Sequence, residues 1–180
     1  TFARELTIRK GKLYQTPVRG IESIKKDELF CAKNGEIISD KLHGQMPNSA
    51  IIRIENPDAE SLDLNLFSRN YVIARGFAIS YDKYAKRLRI DRSDLTNQLN
   101  VEYGTERQII LENGLTSMDI LVDHSTVEIF VNEGEYVLSA RIFPTKEEHM
   151  IRMGGKNLNL SIWSTEQTVD DAPIFFAENQ

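Results

Sequence analysis

Hydrophobic and polar positions alternate along most of this chain. Ala50, Ile52 and Ile54 alternate with Ser49, Arg53 and Glu55, and Leu62, Leu64 and Leu66 with Ser61, Asp63 and Asn65. Phe77, Ile79 and Tyr81 form the next set, followed by Leu88 and Ile90 between Arg87, Arg89 and Asp91. Met118, Ile120 and Val122 continue the pattern, then Val127, Ile129 and Val131, then Tyr136, Leu138, Ala140 and Ile142, and last Leu158, Leu160 and Ile162. Successive side chains on a strand point to opposite faces, so each set predicts one buried face. Turn-forming residues separate the sets: Asp82-Lys83-Tyr84-Ala85, Asn113-Gly114, Asp123-His124-Ser125-Thr126 and Asn132-Glu133-Gly134-Glu135. Short strands joined in this way favour an antiparallel sandwich or barrel over an α/β fold. No segment has a convincing helical pattern. Ile21, Ile24, Leu29 and Phe30 have weak helical spacing but fit a strand equally well. The stretch from Arg19 to Asn48 is the least legible, and no internal repeat, low-complexity run or linker is present.

One hairpin carries more information. A two-residue loop at Glu133-Gly134 pairs Val131 with Tyr136, Ile129 with Leu138 and Val127 with Ala140, all on the core face. The opposite face then carries Phe130 beside Val137, with Phe143 farther along and Leu121 on the neighbouring strand. A solvated antiparallel face is mostly polar. An apolar one calls for cover by a loop, by the chain's own N-terminal segment, or by a partner domain.

Composition narrows the function classes. A length of 180 residues predicts a single domain, residues 1–180. A net charge of −5 and a pI near 5.3 argue against binding a nucleic-acid backbone. No run of apolar residues is long enough for a transmembrane helix, so no membrane partner is expected. The one cysteine, Cys31, cannot close a disulfide within the chain or build a cysteine zinc cluster. The opening Thr1-Phe2-Ala3-Arg4-Glu5 lacks a Met, a basic region and an apolar region, so the start reads as internal to a longer protein.

Candidate chemistry is sparse. Glu147 and Glu148, and Asp170 and Asp171, are adjacent carboxylates, which point apart on a strand and are ordinarily solvated in a loop. Asp119 and Asp123 could share a polar face. Asp123-His124-Ser125 has the residue types of a hydrolase triad, but three consecutive residues in a tight turn rarely converge on one reacting atom. His43, His124 and His149 have no short metal-ligand spacing, and no cofactor or metal is expected. Gly154-Gly155 is too short a pattern for a phosphate-cradling loop. Asn159-Leu160-Ser161 is a glycosylation sequon, but it falls inside a predicted strand. Trp163, Tyr14, Tyr71 and Tyr103 could stack on sugar rings or simply pack.

Two separated motifs are more specific. The first is Arg4-Glu5-Leu6-Thr7-Ile8 followed by Gly11-Lys12-Leu13-Tyr14-Gln15-Thr16-Pro17-Val18. The second runs from Ser117-Met118-Asp119-Ile120-Leu121-Val122-Asp123 through Val127-Glu128-Ile129-Phe130-Val131-Asn132-Glu133-Gly134 to Arg141-Ile142-Phe143-Pro144. In this order they resemble the C-terminal β-sandwich of glycoside hydrolase family 32, which includes invertases, sucrose-6-phosphate hydrolases, levanases and inulinases. The flavour is nearest to the bacterial sucrose-6-phosphate hydrolases. The resemblance implies an all-β, antiparallel two-sheet sandwich of the concanavalin or lectin-like jelly-roll kind. It also implies a five-bladed propeller upstream as catalytic partner, and a cytoplasmic bacterial location.

The same resemblance accounts for the missing chemistry. The family's catalytic acids lie in Trp-x-Asn-Asp-Pro-Asn, Arg-Asp-Pro and Glu-Cys motifs of the propeller. Here Trp163 is followed by Ser164, no Asp-Pro occurs, and Cys31 follows Phe30. No catalytic residue carries over, so the chain alone is expected not to be an enzyme. The reaction implied for the parent is retaining hydrolysis of a β-fructofuranoside through a covalent fructosyl intermediate. The sandwich is expected to pack on the propeller and to aid oligomerisation, with Tyr14, Gln15, Phe130 and Val137 as candidate interdomain contacts. The competing readings are a carbohydrate-binding module, which needs an exposed aromatic platform beside polar groups, and an independent enzyme, which needs two carboxyl groups roughly 5 Å apart.

Overall fold

The structure is a computed structural model and describes residues 2–34, 44–69 and 76–166. Strands β1 (Arg4–Arg9) and β2 (Lys12–Pro17) form a separate antiparallel hairpin. A 3-10 turn, Arg19–Ile24, leads into β3 (Lys25–Ala32). Next come β4 (Gly44–Gln45), β5 (Ser49–Glu55), β6 (Leu62–Ser68), β7 (Phe77–Asp82) and β8 (Arg87–Asp91). They are followed by β9 (Glu106–Ile110), β10 (Ser117–Asp123), β11 (Thr126–Val131), β12 (Tyr136–Arg141), β13 (Met150–Gly154) and β14 (Asn159–Thr165). One six-stranded sheet has the order β12-β11-β10-β5-β14-β3, and the other β4-β13-β6-β7-β8-β9. Of the sandwich and barrel that the alternation left open, the all-β, antiparallel two-sheet sandwich implied by the resemblance forms.

The alternating sets meet between the sheets. Ile52, Ile54, Ile120, Val127, Ile129 and Leu160 of the first sheet face Leu64, Leu66, Ile79 and Leu88 of the second, all buried in one cluster. Each such side chain stabilises the fold by about 1.5–3 kcal/mol relative to an exposed position. The register expected for β11 and β12 holds: Val131 pairs with Tyr136, Ile129 with Leu138 and Val127 with Ala140. The turn between them puts Glu133 at φ 57° and Gly134 at φ 85°, and the Glu135 N–H donates to the Asn132 carbonyl at 3.2 Å. Two central residues with positive φ give the turn the handedness that matches strand twist.

Elsewhere the structure adds to the sequence reading. Asn113-Gly114 does turn the chain as expected, with the Gly114 N–H bonded to the Leu111 carbonyl. It carries the chain from β9 in one sheet to β10 in the other. The Asn132 side chain secures this crossing, donating to the Gly114 carbonyl at 2.7 Å and accepting from the Thr116 N–H at 2.9 Å. Residues 21–31 divide between the 3-10 turn and β3, which explains their double signal. Strand β13 buries Ile151 and Met153, a run too short for the alternation to stand out.

Candidate functional site

The first sheet has a second apolar face. Ile51, Leu121 and Phe130 are buried there, packed with Phe2, Ile21, Ile24, Val137 and Trp163. Of the three kinds of cover expected for Phe130, the chain's own N-terminal segment supplies this one: Phe2 precedes β1, and Ile21 and Ile24 belong to the 3-10 turn. Phe130 is 2% exposed as a result. Val137 pairs with Phe130 in register and is half-buried.

A buried carboxylate holds this strap. Glu128 lies two residues before Phe130 on the same face of β11, and its side chain is 1% exposed. Burying a carboxylate is costly unless it is paired and hydrogen-bonded. Glu128 accepts Arg4 Nη2 at 2.9 Å, Arg4 Nε at 3.3 Å and the Phe2 backbone N–H at 3.2 Å. Arg4 also donates to the Gln15 side chain at 3.0 Å and lies over the Phe130 ring. Gln15 in turn donates its backbone N–H to the Gly134 carbonyl at 2.9 Å. At Gly134 a Cβ would stand 2.1 Å from the Gln15 backbone oxygen, so only glycine allows this approach.

The strap continues as the β1–β2 hairpin, whose two faces differ. Ile8 lies opposite Leu13 and Leu6 opposite Gln15, so these four residues share one face. Leu6, Ile8 and Leu13 are exposed by 66%, 76% and 51%. Thr7, Arg9, Lys12 and Tyr14 share the other face. There Arg9 lies over the Tyr14 ring and pairs with Glu133, while Lys12 pairs with Glu135 in the β11–β12 turn. Tyr14 and Gln15 are half-buried. Of the four candidate contacts, Gln15 therefore lies at the root of the exposed apolar face, Tyr14 on the opposite face under Arg9, and Phe130 and Val137 beneath the strap.

Beside the strap is a cavity of about 450 Å³ lined by Pro17, Glu22, Arg53, Asp119 and Phe130 among others. Arg53 bridges Asp119 at 2.8 Å and Glu22 at 2.7 Å, and Lys25 also pairs with Glu22 at 2.7 Å. Burial acts to raise the Glu22 pKa, but the hydrogen bonds and charges of Lys25 and Arg53 outweigh it and hold the carboxyl below its ordinary 4.5. A carboxylate with a lowered folded-state pKa stabilises the fold above the ordinary value, and that contribution vanishes as pH falls through the lowered one. Stability is therefore expected to decline on acidification below pH 4.5, with Glu22→Gln removing part of the slope. Urea unfolding of both chains across that range checks this; parallel curves would contradict it.

The remaining candidates resolve individually. Glu148 is not solvated as its loop position suggests: it is buried, accepting the Thr96 N–H, the Thr96 hydroxyl and the Thr145 N–H at 2.7, 2.9 and 2.8 Å. It ties two loops together, while Glu147 is exposed. Asp119 is engaged by Arg53, and Asp123 is exposed. Ser49, not Ser125, approaches His124 and Asp123, yet Nδ1 of His124 faces both Asp123 at 2.9 Å and Ser49 at 3.5 Å. A triad base needs one ring nitrogen for each partner, so this exposed cluster lacks the geometry. The Nδ1 of His149 contacts the Lys146 carbonyl, and no group of metal-ligating side chains occurs among the described residues. Cys31 is an exposed thiol that accepts from the Ser161 hydroxyl at 3.8 Å. Gly154 ends β13, and Asn159 of the sequon donates to Glu55 from within β14. Trp163 is half-buried under the Lys25 ammonium, whereas Tyr103 is 73% exposed. His43, Tyr71, Asp170 and Asp171 lie outside the described residues. No helix among the described residues is long and apolar enough to cross a membrane. Sequence reasoning missed Ile51, which lies next to Ile52 of the core set, and the Arg4–Glu128 pair, whose partners are 124 positions apart.

Known proteins share this fold. Residues 21–169 match the family described as "Glycosyl hydrolases family 32 C terminal". The sucrose-6-phosphate hydrolase of Streptococcus mutans is 30% identical over 157 residues, covering 87% of this chain and 30% of that protein. The structure of sucrose-6-phosphate hydrolase from Lactobacillus gasseri superposes with a TM-score of 0.76 at 28% identity, over 91% of this chain and 33% of that one. An exo-inulinase from Aspergillus awamori has the same fold, with a TM-score of 0.73 at 18% identity over 92% of this chain and 35% of that one. The chain thus spans about a third of the length of the relatives it matches. It belongs to glycosyl hydrolase family 32, as the C-terminal β-sandwich domain of that family.

Proposed function

We propose that this sandwich serves a catalytic domain that precedes it in a longer glycoside hydrolase, docks on that domain through the β1–β2 hairpin, and hydrolyses nothing alone. The observation that carries this reading is the hairpin's exposed apolar face. Leu6, Ile8 and Leu13 lie together on the two-stranded hairpin, and among the described residues no sheet packs behind them. Apolar clusters of this kind mark interaction sites. Gln15 joins that contact directly, and Tyr14 supports it from the reverse face under Arg9. Phe130 and Val137 act from below, by seating the strap from which the hairpin projects. The two buried glutamates, Glu128 and Glu148, are fixed by structural hydrogen bonds, which supports a non-catalytic role. The parent substrate is a sucrose-type β-fructofuranoside, phosphorylated or not, and the location is the bacterial cytoplasm, a compartment that suits an unpaired Cys31.

Replacing Leu6, Ile8 and Leu13 with Ser tests the docking. In the 180-residue chain each change is expected to alter stability by no more than about 0.5 kcal/mol, because the side chains are already exposed. In the longer protein each position that the catalytic domain covers is expected to cost about 1.5–3 kcal/mol. Equal effects in the two contexts, by urea unfolding, would remove the hairpin as the docking element.

A further inference from the structure

A second cavity, of about 310 Å³, lies where edge strand β12 of one sheet meets β8 and β9 of the other. Its lining differs in charge from the rest of this acidic protein. Arg92, Arg107 and Arg141 line it, and no aspartate or glutamate does. The cavity beside the strap carries Glu22 and Asp119, and another, of about 550 Å³, carries Asp58 and Glu112. None of the three arginines pairs with a carboxylate among the described residues. Arg92 reaches the Asn100 and Gly104 carbonyls through Nη2 alone, at 3.5 and 3.4 Å. Arg107 caps the Tyr103 carbonyl at 2.9 Å and the Glu106 carbonyl at 2.6 Å. Arg141 lies over the Phe143 ring. A guanidinium has five N–H donors, so donors remain on Arg92 and Arg107, whereas the Arg141 side chain shares the outer face of β12 with Val137.

The uncharged lining complements this charge. Phe77 and Ile90 contribute buried apolar surface, and Tyr103 stands at the cavity 73% exposed. The side chains of Asn100 and Thr105 also line the cavity and make no hydrogen bond to described residues. Along β12 one side of the backbone has no partner strand among the described residues. Arginines that retain donors favour a phosphate, an exposed aromatic favours the apolar face of a sugar ring, and amide and hydroxyl groups suit sugar hydroxyls. We propose that this cavity is a binding site for a phosphorylated sugar. It is a site on the sandwich itself and does not depend on how the hairpin docks. The cavity's modest size fits a mono- or disaccharide phosphate better than a larger phosphorylated molecule.

The test is an NMR titration of the ¹⁵N-labelled chain, run separately with sucrose 6-phosphate, sucrose, inorganic phosphate and adenosine monophosphate. Sucrose 6-phosphate is expected to shift amides in residues 99–107 and 139–141 and to saturate at least about tenfold below the other three, since one charge-assisted hydrogen bond corresponds to about that factor. Arg107→Gln is expected to weaken binding about tenfold, and Tyr103→Ala about threefold. Both residues are exposed, so the variants keep the fold, and an unchanged amide spectrum elsewhere verifies that. Equal saturation by phosphate, by sucrose or by adenosine monophosphate would overturn the sugar-phosphate assignment. Shifts scattered over the surface, or none, would overturn the site.

Discussion

Arg4→Ala is expected to destabilise the chain by about 3–5 kcal/mol, a large share of the stability of a domain this size. The reason is the partner it abandons. Glu128 is 1% exposed, and without Arg4 its carboxylate keeps one of its three hydrogen bonds, that from the Phe2 N–H. Glu128→Ala is expected to cost less, since the partly exposed Arg4 keeps its bonds to Gln15 and Ser139 and only the Phe2 amide loses its partner. The pair as a whole is a different matter, because its Coulomb attraction is offset by the desolvation of both charges. Replacing both with apolar residues of similar volume, Arg4→Met with Glu128→Leu, is expected to recover most of the loss. A double-mutant cycle by urea unfolding then gives a large coupling energy. Additive single-site losses would mean that the two side chains act independently and that the strap is held elsewhere.

Phe130→Ala is expected to cost about 3–5 kcal/mol in the 180-residue chain, as a large aromatic removed from a filled site does. It tests which partner covers the outer face. Phe130 packs with Ile51 and Leu121 of its own sheet and with Phe2, Ile21 and Ile24 of its own strap. Its loss therefore registers without any catalytic domain present. Faster amide exchange is also expected at Gln15 and Val18, whose N–H groups bond Gly134 and Ala3. A wild-type unfolding midpoint for Phe130→Ala in the isolated chain would instead make Phe130 an outward contact.

Alternation made much of the sandwich legible, because a one-residue slip would turn a whole face outward. The β11–β12 pairing followed from the turn at Glu133-Gly134 and was recovered residue by residue. Alternation also revealed an excess of apolar residues on the outer face, in Phe130, Val137 and Leu121. It could not say what covers them, because the cover is long-range: Phe2 lies 126 positions from the Glu128 that anchors it. The run Arg4-Glu5-Leu6-Thr7-Ile8-Arg9 alternates as clearly as any core strand. Yet its apolar side faces outward, and a period of two does not distinguish a core from a docking face. The arginine-lined cavity gave no sequence signal either, since Arg92 and Arg107 meet through the pairing of β8 with β9 and the β12 wall arrives only when the sheets stack.

The most direct test of the docking account is hydrogen exchange across β1 and β2, measured in the 180-residue chain and in the same chain joined to an N-terminal catalytic domain of the family. In the isolated chain the hairpin amides are expected to exchange quickly, as a lone hairpin has little stability of its own. In the longer protein the amides of Leu6, Ile8 and Leu13 are expected to slow by at least about tenfold while the core strands stay unchanged. Equal exchange at these amides in both proteins would contradict the account, and the role of this domain would then have to lie on another face.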